Sequence, residues 1–246
     1  MKLNNKRTIL VGLAFLSICA FWQMYDSIVP LILTKTFHMN ETFSGAIMAA
    51  DNILALFLLP FFGSVSDKSH TKIGKRMPFI LFGTGCAIIL MNILPLLDNS
   101  YAAQPSGFKT ASFVIVLGLL LVAMGTYRAP AVALMPDVTP KPLRSRANAI
   151  INLMGAVGGI LYLGVAAVLY PNSKTAGVEH VNYQPLFIVV SAIMFVAVAV
   201  LFLTIREPKL TAENQALEKQ HPEWNLAQDD GSGHETLPKL SLIHIS

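Results

Sequence analysis

Apolar residues along this chain come in long unbroken runs, separated by short stretches rich in Asn, Pro, Gly and charge. Six runs stand out, at about 8–34, 42–65, 77–97, 110–135, 145–170 and 185–205. Each is near the roughly 20 residues that a helix needs to cross the hydrocarbon core of a bilayer. Lipid offers backbone N–H and C=O groups no partner, so helices are the form such runs take. The pattern predicts an all-α integral membrane protein with a bundle of six transmembrane helices. Lys2, Lys6 and Arg7 before the first run invite a signal-peptide reading, but the run continues to Leu33 and no small-residue cleavage pattern ends it. It is expected to be a retained first span.

Composition supports this picture. The chain is 54% hydrophobic and 13% charged, whereas soluble domains carry about 25% charged residues. The net charge of +4 raises the question of nucleic acid, and its placement answers it. Fourteen of the Lys and Arg residues precede span 1, lie between spans 2 and 3 or spans 4 and 5, or follow span 6; Lys35, Lys109 and Lys174 lie on the other side. That asymmetry predicts a multi-pass protein of the plasma or inner membrane, with the N-terminus and the segment after span 6 cytoplasmic. No nucleic-acid partner is needed to explain the basic loops. Cys19 and Cys86 sit in apolar runs and read as free thiols, and the six histidines form no metal-ligand spacing with them.

After Arg206 the chain turns polar. Residues 1–206 are expected to form the six-helix bundle and 207–239 a cytoplasmic central linker, with Pro, Gly and Asp interrupting any long helix. The last residues, 240–246 (LSLIHIS), do not match that linker. They resemble the translation of a sequencing adaptor, which would make this a truncated frame continuing beyond Lys239; a short natural apolar end is the alternative.

Between spans 2 and 3 lies GSVSDKSHTKIGKRMP, in which Gly63, Asp67, Lys68, Gly74, Lys75 and Arg76 form G-x-x-x-D-K-x5-G-K-R. Positive-inside topology explains the cations but not the two glycines or Asp67. The stretch resembles the loop between the second and third helices of the major facilitator superfamily. Its longer spacing and Pro78 are closer to the glycoside–pentoside–hexuronide:cation symporters and the related sucrose-transporter group. Span 4 ends in Tyr127-Arg-Ala-Pro-Ala-Val-Ala-Leu-Met-Pro-Asp137, followed by Arg144 in a loop that leads to Asn148. This is similar to the R-A-x-x-x-D pattern of disaccharide–proton symporters, with extra residues between Arg128 and Asp137. The resemblance covers residues 8–206. It implies the N-terminal half of a twelve-helix transporter with its site at midplane between two bundles. It also implies that Gly63 permits a close helix approach and that Asp67, Lys68, Gly74, Lys75, Arg76, Asp137 and Arg144 form a cytoplasmic gating cluster.

Three ionisable groups fall inside the predicted spans, where each is expensive unless paired or hydrated. Asp26 and Asp51 lie roughly 12–14 Å from the outer end and Arg128 roughly 13 Å from the inner end, at about 1.5 Å per residue. Asp26 or Asp51 is expected to carry a coupling proton, with Arg128 organising substrate or acid; a buried pair that fixes packing is the alternative. Trp22, Gln23, Tyr25, Asn52 and Asn152 flank these groups and are candidates for sugar hydroxyls, or for ordinary helix contacts. Melibiose-type symporters carry two acids on span 2 for sodium, but the matching positions here hold Ala55 and Leu59. A proton is therefore the expected coupling ion, with no other cofactor. Pro30, Pro60 and Pro130 are expected to kink spans 1, 2 and 4, and Gly155, Gly158 and Gly159 to serve close packing in span 5.

No P-loop is present and no catalytic chemistry is expected. The residues and the resemblance together point to alternating-access symport of a sugar, such as an α-linked disaccharide, with protons. The expected partners are lipid, a small sugar and a missing C-terminal six-helix half. The alternatives are a major facilitator transporter of a drug or organic acid, an inactive half-transporter, and an intramembrane aspartyl protease. The last lacks convincing sequence contexts around Asp26 and Asp51.

Overall fold

The computed structural model describes residues 3–175, 177–178, 180–222 and 224. The expected linker beyond Trp224 and the terminal residues 240–246 lie outside them. Among the described residues every regular element is a helix, and six of the helices are long and apolar enough to cross a membrane.

Helix α1 (Asn5–Leu31) is capped by Asn4, whose Oδ1 accepts from the Arg7 amide at 3.1 Å. Beyond Pro30 it loosens into a π-helical turn, Ile32–Thr36, because proline removes one rung of the α-ladder. The next three helices are α2 (Glu41–Asp67), α3 (Met77–Ala103) and α4 (Gly107–Val138). A 3₁₀ turn, Lys141–Leu143, leads into α5 (Arg144–Leu169). A one-turn helix α6 (Asn172–Thr175), then α7 (Gln184–Thr204) and α8 (Glu207–Gln220) follow.

The main contacts pair α1 with α5, α3 with α4, α1 with α7, α2 with α4 and α3 with α7. Close crossings are set by small residues, the usual device where lipid supplies no hydrophobic drive between helices. A Cβ on Gly158 of α5 would overlap the Leu16 backbone of α1, and one on Gly155 would lie 2.8 Å from Cys19 Sγ. Gly159, expected to share this role, would meet only Gln23 Oε1 at 3.8 Å. Its neighbours pack α5 onto α1; it does not.

Two boundaries differ from those read in the sequence. Helix α3 runs on to Ala103 and encloses Asp98, which is fully buried. The segment after Arg206, expected to hold no long helix, starts as the 14-residue helix α8. Its Glu207 is 1% exposed and its Asn214 4% exposed, so α8 is docked under the bundle. Polar composition concealed this, because the docking contacts are themselves polar.

Candidate functional site

Two polar regions occupy different depths. The first lies within the bundle, where α1, α2 and α4 meet. Tyr127 anchors α4 to α1 there: its hydroxyl donates to the Ala14 carbonyl at 3.0 Å and shares a 2.5 Å hydrogen bond with Ser17 Oγ. Arg128, one residue on, places its guanidinium carbon 5.6 Å from the Trp22 ring centroid. A guanidinium at this range is attracted by the ring's negative face. Asp51 of α2 joins Trp22 and Arg128 around a cavity of about 20 Å³, whose other walls include Leu58 and Gly125. Ala55 and Leu59, set in the sequence against the span 2 acids of melibiose-type symporters, also line it.

This region is under-satisfied. Trp22 Nε1, Tyr25 Oη and Asp51 Oδ1 are buried with no hydrogen-bond partner among the described residues. Native interiors leave few such atoms, since each forfeits its hydration without compensation. Asp26 lies within electrostatic reach of both Asp51 and Tyr25, and its side chain is on the exposed face of the bundle. Asn52 and Asn152 are exposed as well, while Gln23 is half-buried towards α5. The structure thus gathers Trp22, Asp51 and Arg128 at one cavity with Asp26 nearby. Asn52 and Asn152 stand on the open face, outside that cavity.

The second region sits at the charge-rich end. Arg76 is the hub: its side chain is 5% exposed, its Nε donates to Asp137 Oδ2 at 2.9 Å, and its Nη2 donates to Asp67 Oδ1. Its Nη1 donates to Ser66 Oγ at 2.5 Å and to the Gly63 carbonyl at 3.3 Å. Lys75 Nζ lies 3.2 Å from Asp137 and 3.7 Å from Asp67. Gly63 therefore acts through its carbonyl: a Cβ there would meet nothing within 4 Å, contrary to the close helix approach expected of it. Lys68 caps α2 and is exposed, with no part in the Arg76 contacts.

Glu207 completes this cluster, and the sequence reading missed it. Its carboxylate accepts from the amides of Lys75 (2.8 Å), Arg76 (2.9 and 3.1 Å) and Met77 (2.8 Å). These are the orphan donors at the start of α3, where the helix dipole also favours negative charge. Gly74 makes room for it: φ is +120°, and a Cβ would overlap the Glu207 carboxylate. A signal was present. Pro78 marks a helix start beside Gly74, and Glu207 is the acid that directly follows the sixth apolar run.

Helix α8 ties down the same end. Asn214 Nδ2 donates to the Asp137 carbonyl at 3.1 Å. Arg144 donates to the Pro136 carbonyl at 3.0 Å, the Thr139 carbonyl at 3.1 Å and Glu218 Oε1 at 2.9 Å. Arg7 Nη2 reaches the Val138 carbonyl at 3.2 Å. Arg144 thus closes the end of α4 onto α8 and does not touch Arg76's carboxylates directly.

At the opposite end, Asp98 sits 3.9 Å from His180 Nε2, which also lies 2.9 Å from Asn99 Oδ1. Sequence reading missed Asp98 as well, by ending span 3 one residue before it.

These features define a multi-pass α-helical membrane protein with a polar site inside the bundle and an ion-pair cluster closing one end. The chain belongs to the Major Facilitator Superfamily, whose sequence model matches residues 11–241. The match is thus to a family of membrane transporters and not to a family of enzymes. Part of it is similar to sucrose transport protein SUC3 of Arabidopsis thaliana, 34% identical over 158 residues, 59% of this chain and 26% of that protein. Sucrose transport protein SUT3 of Oryza sativa subsp. indica is 34% identical over 154 residues, 57% of this chain and 30% of its own. Alpha-ketoglutarate permease of Escherichia coli (strain K12) is 26% identical over 179 residues, 72% of this chain and 38% of its own. The matched stretches span between 26% and 38% of these relatives' lengths.

Proposed function

We propose that the protein carries a sugar, of the disaccharide or glycoside class, across the membrane together with a proton by alternating access. The observation that carries this reading is the half-buried cavity shared by Trp22, Asp51 and Arg128, with two polar atoms of its walls, Trp22 Nε1 and Asp51 Oδ1, unpartnered among the described residues. At about 20 Å³ it holds one water-sized species. That suits a proton exchanged through water at Asp51 and is far too small for a sugar. The sugar is assigned to the open face beside it, where Asp26, Asn52, Asn152 and Gln23 present hydrogen-bonding groups to a facing bundle. Similarity to proteins named for sucrose transport supports the substrate class.

Arg128 has two tasks in this scheme. Its charge offsets that of Asp51 while the carboxylate is ionised, and its contact with Trp22 fixes the ring that a sugar stacks against. The Arg76 cluster with Glu207 is the latch: its contacts hold the ends of α2, α3 and α4 and the start of α8 together in one state. We assign that end, both flanking segments included, to the cytoplasm on the count of basic residues.

The resemblance to α-ketoglutarate permease, together with the cationic Arg128, favours an organic anion as the second reading. Proteoliposomes with an imposed pH gradient separate the two. Sugar-class transport predicts gradient-driven accumulation of labelled sucrose that unlabelled disaccharides suppress and α-ketoglutarate does not. Suppression by α-ketoglutarate alone would transfer the site to anions.

A further inference from the structure

A groove of about 420 Å³ runs along the outside of the charge-rich end, between the α2–α3 loop and the α7–α8 junction. Lys72, Arg206 and Lys209 line it together with Ile73, Phe202 and Leu203. All three cations are exposed. Lys209 has one loose pair, 3.9 Å from the well-exposed Glu213, and neither Lys72 nor Arg206 has an ion-pair partner among the described residues. Among the described residues no carboxylate lines the groove: Glu207, the nearest acid in sequence, is buried and turned into the Gly74 loop. Phe202 is 39% exposed, Leu203 78% and Ile73 40%, so an apolar strip adjoins the cations. Positive-inside topology accounts for cations at this end. It does not account for three of them converging on a concave surface with an apolar edge.

We propose that this groove binds an anionic phospholipid, its phosphodiester headgroup held by Lys72, Arg206 and Lys209 and its acyl chains lying along Phe202 and Leu203. Charge complementarity argues for the anion, and the volume lies in the roughly 300–1,000 Å³ range of small-ligand sites. The apolar strip adjoins further exposed apolar residues of α7, Phe195 and Val196 among them, and argues for a lipid rather than a free phosphate. The groove is also mechanically connected to the latch. Its two walls, at Lys72–Ile73 and at Arg206, adjoin Gly74 and Glu207, and the Glu207 carboxylate on the amides of Lys75, Arg76 and Met77 holds them together. A lipid that spans both walls therefore stabilises the state in which the Arg76 cluster is closed.

Native mass spectrometry of the purified chain, with phosphatidylglycerol competing against phosphatidylcholine, tests this. The chain should retain phosphatidylglycerol preferentially. Each basic residue near a membrane surface contributes roughly a fivefold factor, so Arg206→Gln should weaken retention about fivefold and K72Q/R206Q/K209Q about 100-fold. Lys35→Gln, at the opposite end, should leave retention unchanged. Equal retention by the triple variant would overturn the proposal. So would displacement of the lipid by soluble glycerol 1-phosphate, which would mark a small-anion site. Cross-linking of a photoreactive group at position 203 to the chain's own residues 225–246, which include Asp229 and Asp230, would overturn it too by assigning the groove to the tail.

Discussion

The two polar regions differ in one respect that separates their roles. At the charge-rich end every carboxylate of the Arg76 cluster has a donor, and Glu207 alone satisfies three helix-terminal amides. At and beside the mid-bundle cavity, Trp22 Nε1, Tyr25 Oη and Asp51 Oδ1 have none among the described residues. A saturated buried network fixes geometry, and removing one member strands the others. An unsaturated one offers donors and acceptors to something that arrives. The same contrast holds between helices: none of the most apolar stretch of α2 is buried, against 61% of that of α1. Helix α1 is the bundle's core, while α2 presents Asp51 at its margin.

Substitutions that should affect one region and spare the other test this contrast. The largest effect is expected for Arg128→Ala. Gradient-driven sucrose uptake should fall to background, at least 100-fold, while membrane insertion is retained; uptake within twofold of the parent would remove Arg128 from the site. Asp51→Asn should leave sucrose exchange across the membrane active and abolish its dependence on the pH gradient, measured as the ratio of uptake with and without the gradient. If that ratio is unchanged, the proton travels elsewhere.

The latch should respond in stability first. Glu207→Ala leaves the Lys75, Arg76 and Met77 amides without their acceptor and should lower unfolding free energy by about 3 kcal/mol. Gly74→Ala should also destabilise, through φ strain and through the clash with Glu207. In the Glu207→Ala background only the strain remains, about 1 kcal/mol, so a double-mutant cycle should show strong coupling. Additive losses would mean that Gly74 and Glu207 act independently. The smallest effect belongs to Lys68→Gln, which should change stability by less than about 0.5 kcal/mol, since Lys68 is exposed and outside the cluster.

Much of the bundle was legible because a bilayer imposes one rule along the whole chain: long apolar runs must be helices. Helix ends were less legible, since helices continue into polar residues at the interface, as α3 does through Asp98 to Ala103. Depth could be counted at 1.5 Å per residue, which brought Asp51, Trp22 and Arg128 into consideration together. Direction could not. Asn52 follows Asp51 by about 100° around α2, is exposed and does not line the cavity that Asp51 lines. Glu207 and α8 were missed because their contacts join residues more than 70 apart through polar groups, which hydropathy reads as solvent-exposed chain.

Trp22 reports on the central claim directly. In a Trp224→Phe background it is the sole tryptophan of the chain, and its ring adjoins Arg128. Reconstituted protein titrated with sucrose should show a saturable change in Trp22 fluorescence, absent in Arg128→Ala and preserved in Lys68→Gln. A response that is missing from the parent, or that survives Arg128→Ala unchanged, would contradict a sugar site on the face beside the unsaturated cavity.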